Sequence, residues 1–141
     1  MKLTEDTAAG VVSLVDDDLT VLRSMGRLLA SDGIEVRAFN KPEEFLAHAS
    51  AHSVPVVVTD LWMKGVTGLE ILARMCAISP RPRVIVITAR DDIAARVTAM
   101  QIGPVAFFTK PFDDEQFLAA VHEALAQARH QPLTTKTWKK G

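Results

Sequence analysis

The stretch Val-Val-Ser-Leu-Val-Asp-Asp-Asp, residues 11–18, sets a short apolar run directly against three carboxylates. Its first five residues have the length and composition of a strand covered on both faces. A buried segment that ends on Asp16, Asp17 and Asp18 delivers a block of negative charge to one place at the edge of a sheet. The apolar half of this pattern recurs as VPVVVT (54–59), RVIVIT (83–88) and VAFFT (105–109), and more weakly as EVRAF (35–39).

Helical periodicity fills the intervals. Leu19 to Ser31 places Val21, Leu22, Met25, Leu28 and Leu29 on one face, and Gly33 follows as a stop. Asn40 reads as an N-cap, with Glu43 three residues on, opening a helix through Phe45, Leu46 and Ala49. Leu69 to Ile78 carries Leu69, Leu72, Met75 and Cys76. Asp91 to Ile102 presents Ile93, Val97 and Met100 as its apolar face. Asp113 to His130 starts with an acidic cap and carries Phe117, Leu118, Val121 and Leu125. Strand and helix thus alternate five times, which predicts right-handed βαβ units and a parallel sheet with helices on both faces.

Composition narrows the function. The chain has 141 residues, of which 48% are hydrophobic and 23% charged, enough for one domain with a real core. A net charge of −1 makes the whole chain no obvious binder of nucleic acid or anionic membranes. The single cysteine, Cys76, excludes an internal disulfide framework and a four-thiolate zinc site. No apolar run approaches the length of a membrane span or a signal peptide. The expectation is a cytoplasmic protein with a flexible N-terminus over 1–10, a domain over 11–130 and a polar linker or tail over 131–141.

In a parallel α/β sheet the ligand site lies beyond the C-terminal ends of the strands. The first strand ends at Asp16-Asp17-Asp18, the third at Asp60, the fourth at Thr88 and the fifth at Lys110-Pro111. Carboxylates, one hydroxyl and one amine should therefore converge. Clustered carboxylates repel unless a cation enters, and a hard divalent ion such as Mg²⁺ is satisfied by one or two of them plus other oxygens. A carboxylate can also serve as nucleophile and accept a phosphoryl group, with the cation, ammonium and hydroxyl holding the transferred oxygens.

The ordered set VDDD, VVVTD, ITA and FFTKPF resembles the receiver domain of two-component response regulators, over about residues 10–128. The segment AMQIGPVAFFTKPFDDEQFLAAVHEAL is similar to the nitrogen-fixation regulator branch. The resemblance implies a flavodoxin-like doubly wound fold with strand order 2-1-3-4-5. It implies Asp60 as phosphoacceptor from a sensor histidine kinase. Asp17 is then a direct Mg²⁺ ligand, Asp16 acts mainly through a bound water, and the Trp62 backbone carbonyl completes the protein ligands with Asp60. Thr88 and Lys110 would contact the phosphoryl oxygens, and Thr88 and Phe107 would form the switch. The face made by the fourth helix, fifth strand and fifth helix would carry the partner or homodimer contact. A cis bond is expected before Pro111. With no helix-turn-helix pattern, these residues are expected not to bind DNA themselves but to control a transcriptional output. Met63-Lys64 departs from the family's usual Met-Pro, and Trp62 is an uncommonly large residue beside the site. Trp62 and Arg90 border the water's approach and are expected to lengthen the phosphoryl lifetime.

Taken singly, these residues have ordinary readings: Asp17 or Asp60 as solubilising or capping residues, Thr88 as a strand end, Lys110 as a surface lysine, Phe107 as core. His48 and His52, four apart, have no Cys or acidic partner and read as a solvated helix face. Two rival functions remain. A haloacid dehalogenase-type phosphohydrolase uses similar groups, but its nucleophile sits in Asp-x-Asp and its acidic pair comes last. A phosphorylation-independent interaction module would not need the full set of Asp16, Asp17, Asp60, Thr88 and Lys110.

Overall fold

The computed structural model describes residues 10–90 and 92–130. The expectations for residues 1–9 and for the tail 131–141 fall outside the described residues, and so does Asp91, but the fourth helix starts at Ile93 behind an Asp92 cap rather than at Asp91. The elements are β1 (Val11–Val15), α1 (Leu19–Ser31), β2 (Glu35–Phe39), α2 (Pro42–Ala51), β3 (Val56–Asp60), α3 (Gly68–Cys76), β4 (Arg83–Thr88), α4 (Ile93–Ile102), β5 (Ala106–Thr109) and α5 (Asp114–His130). All strand pairs are parallel and the order is β2-β1-β3-β4-β5.

Alternation along the strands feeds two cores. Val12, Leu14, Val56, Val58, Ile85 and Ile87 face Leu22, Met25 and Leu29 of α1 and Phe117 and Val121 of α5. Val15, Val57, Val84 and Val86 face Phe45 of α2, Ile71, Leu72 and Met75 of α3 and Ala95 and Ala99 of α4. Three central strands are therefore apolar on both faces, which is why their sequences read as continuous runs. β2, at one edge, is exposed or half-buried throughout.

The structure corrects several boundaries. The third strand starts at Val56, not Val54, because Pro55 has no N–H to give the ladder and its carbonyl instead accepts from Arg83 N at 2.9 Å. The fifth strand starts at Ala106, and Val105 precedes it. Asn40 does not cap α2. The cap is Lys41, which makes no side-chain cap bond, and Pro42 fills the first helical turn, where a missing N–H costs nothing. α3 starts at Gly68 behind Thr67, whose hydroxyl accepts from Glu70 N at 3.2 Å, and it ends at Cys76.

The largest correction concerns α4. Its buried residues are Ala95 and Ala99, while Ile93, Val97 and Met100 are 77%, 51% and 53% exposed. Two alanines let the helix lie close to the sheet, and the larger side chains are left outside. Other expectations hold. Asp18 caps α1 by accepting from Thr20 N at 2.9 Å, Asp113 accepts from Glu115 N at 3.2 Å, and Gly33 has φ +78°. The Lys110–Pro111 and Ser79–Pro80 bonds are cis.

Candidate phosphoacceptor site

β1 is paired with β2 on one side and β3 on the other, so chain order reverses there and a crevice opens at the C-terminal ends of β1 and β3. The register fills it. Val15 pairs with Thr59, so the next step sets Asp16 beside Asp60. Asp60 pairs with Ile87 and Thr88 with Thr109, which brings Thr88 and Lys110 to the same edge. Lys110 N donates to the Thr88 carbonyl at 2.8 Å.

The three N-terminal carboxylates play different parts. Asp16 is only 4% exposed. Its Oδ1 accepts from Asp18 N at 2.9 Å, but its buried Oδ2 has no hydrogen-bond partner among the described residues. Burial pushes its pKa up to about 6, and the charges of Asp60 and Asp17 add to that against the Asp18 N–H and Lys110. Asp17 is exposed, and its Oδ2 accepts from Lys64 N at 3.0 Å, across to the β3–α3 loop. Asp18 belongs to the helix cap.

Asp60 is half-buried. Burial raises its pKa, while the N–H of Trp62, donating to Oδ1 at 3.3 Å, and the Lys110 ammonium oppose the rise. Thr88 is buried, and its hydroxyl donates to the Arg90 carbonyl at 3.1 Å and accepts from Arg90 N at 3.2 Å. Trp62 is half-buried and reaches the same carbonyl, its Nε1 donating at 3.4 Å, while the Arg90 guanidinium carbon lies 4.5 Å from the centroid of the indole. Asp17, Trp62, Met63, Lys64 and Arg90 line an open pocket. Phe107 is half-buried, with the Arg96 guanidinium 4.8 Å from its ring centroid.

An all-oxygen donor set with a buried orphan oxygen and two carboxylates of raised pKa fits a hard divalent cation. Among the described residues no group of three or more His, Cys, Asp or Glu side chains is already gathered around a metal position. Here Asp17 is turned to Lys64, so it would leave the Lys64 N–H to join Asp60 as a direct ligand, and magnesium's habit of keeping waters would let Asp16 act through one.

The sequence reading passed over Gly68 and noted Lys64 only as a departure from Met-Pro. A Cβ at Gly68 would collide with the Asp60 carbonyl oxygen, and Gly68 N donates to the Leu61 carbonyl at 3.0 Å. The first turn of α3 is thus seated directly on the Asp60–Leu61 peptide. Lys64 supplies its backbone N–H to Asp17. A Gly just before the apolar periodicity was the available signal for the first; nothing signalled the second. Three histidines stay outside the site: His48 and His52 stack at 4.4 Å, and His122 contacts Asp32 at 2.7 Å.

The fold is shared with known proteins. The response regulator receiver domain family matches residues 12–122. The chain belongs to that family. Receivers of this family are phosphorylation-controlled signalling domains of two-component systems. The chain is 37% identical to the transcriptional regulatory protein FixJ of Bradyrhizobium diazoefficiens, over 86% of this chain and 60% of that protein. It thus spans about 60% of the length of that relative. A beryllofluoride-activated NtrC4 receiver domain dimer superposes with a TM-score of 0.77 at 28% identity, covering 84% of this chain and 98% of that one. A Burkholderia pseudomallei response regulator with a phosphorylated aspartic acid, calcium ion and citrate superposes with a TM-score of 0.71 at 27% identity, covering 84% and 70%. Among the described residues no helix is long and apolar enough to cross a membrane.

Proposed function

We propose that this receiver accepts a phosphoryl group on Asp60 from the phosphohistidine of a sensor histidine kinase, in the cytoplasm, and uses it to control a transcriptional output. The observation that carries this is the convergence of a half-buried Asp60, a buried orphan oxygen on Asp16, Lys110 and Thr88 at the switch point of the sheet. An Asp60 oxygen attacks phosphorus, the donor's P–N bond breaks, and its electron pair returns to the imidazole. Loss of the group is hydrolysis of the same acyl phosphate by water, so the chemistry stays within the chain's own site.

Asp16, Asp17, Asp60 and the Trp62 carbonyl would hold Mg²⁺. When bound, the ion supplies charge to offset the phosphoryl oxygens. Lys110 neutralises part of the carboxylate charge and pairs with a phosphoryl oxygen. Thr88 gives its single hydroxyl proton to another after leaving Arg90. Phe107 follows Thr88 inward. Phosphorylation adds about −1.5 to −2 charges and biases a pre-existing equilibrium.

The readout face is α4-β5-α5. Its exposed stripe of Ile93, Val97 and Met100, extended by the exposed Val105, is the apolar surface a partner or second copy would cover. The B. pseudomallei regulator's phosphorylated aspartate and the NtrC4 receiver's activated dimer support both halves of the reading. The absence of a second Asp two residues after Asp60, where Trp62 stands, disfavours a haloacid dehalogenase-type phosphohydrolase. Hydrogen exchange with and without beryllofluoride and Mg²⁺ tests the switch: protection should change in α4, β5 and the Thr88–Arg90 segment. Changes confined to α1 would contradict it.

A further inference from the structure

We propose that Trp62 is a positioning residue that holds the site in its resting arrangement by competing with the phosphoryl group for Arg90. The inference rests on Asp60 as phosphoacceptor. Trp62 grips Arg90 twice, through the indole N–H on the Arg90 carbonyl at 3.4 Å and through the indole face under the guanidinium at 4.5 Å. Arg90 in turn grips Thr88 twice, its carbonyl accepting from the hydroxyl at 3.1 Å and its N–H donating to it at 3.2 Å. The result is a chain of contacts from the residue two past the nucleophile, across the mouth of the site, to the buried Thr88.

A threonine hydroxyl has one proton. While that proton is on the Arg90 carbonyl it is not available to a phosphoryl oxygen. The guanidinium is likewise parked on the indole, where the attraction is modest. A phosphoryl anion would bind it by a charge-assisted hydrogen bond. Both competitions run through Arg90, and Trp62 holds Arg90 on the resting side of each. Removing the indole therefore favours the phosphoryl-bound arrangement without adding any contact to it.

Calorimetric titration with beryllofluoride in the presence of Mg²⁺ is an equilibrium measurement, so hydrolysis does not enter it. Wild type should bind and Asp60→Asn should not. If Asp60→Asn binds as well as wild type, or wild type fails to bind, the phosphoacceptor reading fails and the inference goes with it. Given that contrast, Trp62→Ala should bind roughly threefold to tenfold more tightly, with Trp62→Phe, which keeps a ring face but no N–H, in between. On an Arg90→Ala background Trp62→Ala should add nothing. Unchanged or weaker binding by Trp62→Ala overturns the inference while leaving Asp60 in place. So does an equal gain with and without Arg90, which would mark Trp62 as a bulk obstacle rather than a competitor.

Discussion

Replacing Asp16 by Asn should stabilise the metal-free protein at neutral pH. Asp16 is 4% exposed, and its Oδ2 has no partner among the described residues. Its folded pKa of about 6 lies above the ordinary 3.8. The carboxyl therefore contributes stability that is fully present below about pH 3.8 and lost as pH rises through about 6. At about pH 7.5 its ionisation costs the folded state about 3 kcal/mol, from a shift of roughly two units at 1.36 kcal/mol each. Asn keeps the acceptor for the Asp18 N–H, does not ionise, and puts an N–H₂ where the orphan oxygen stood. Urea unfolding with a chelator present should show Asp16→Asn equal to wild type near pH 4 and more stable by about 2–3 kcal/mol near pH 7.5. Added Mg²⁺ should narrow the gap by stabilising wild type more than the variant. A variant no more stable than wild type at neutral pH, or one with the same gain near pH 4, would refute a charge-based cost at this position.

Other outcomes follow from the same geometry. Asp17→Asn should weaken Mg²⁺ binding at least tenfold, the order seen when a charged metal partner is lost; unchanged affinity by calorimetry would remove Asp17 from the ligand set. Gly68→Ala should destabilise the fold by about 1–3 kcal/mol, since its Cβ meets the Asp60 carbonyl rather than a pliable side chain, and urea unfolding measures this. Trp62→Asn should shorten the phosphoryl lifetime even though it frees Arg90 for the phosphoryl group, because it uncovers the water's approach and supplies an amide to orient the water; phosphoprotein decay rates equal to or slower than wild type would count against shielding.

Much of this was legible in the sequence because the central strands are apolar on both faces and mark themselves as runs. β1, β2 and β4 begin and end where the residues change character. The acidic, hydroxyl and amine groups were found at strand ends because a parallel sheet gathers those ends. What could not be read depends on closeness rather than on hydrophobicity. In α4 the large apolar residues set the visible period, but Ala95 and Ala99 make the contact with the sheet. At α2, the donor-free Pro42 moved the start away from Asn40. Within the site, residue types showed which groups converge but not their division of labour. That Asp16 is the buried orphan, that Asp17 turns to Lys64, and that Trp62 reaches Arg90 depend on loop paths between residues far apart in sequence.

The central claim is that Asp60 carries the phosphoryl group. Incubation with acetyl phosphate and Mg²⁺, followed by intact mass and peptide mapping, tests it most directly. One phosphoryl adduct is expected, mapped to Asp60, absent without Mg²⁺ and absent in Asp60→Asn. An adduct that persists in Asp60→Asn, or maps to Asp16, Asp17 or a histidine in the wild type, would contradict it.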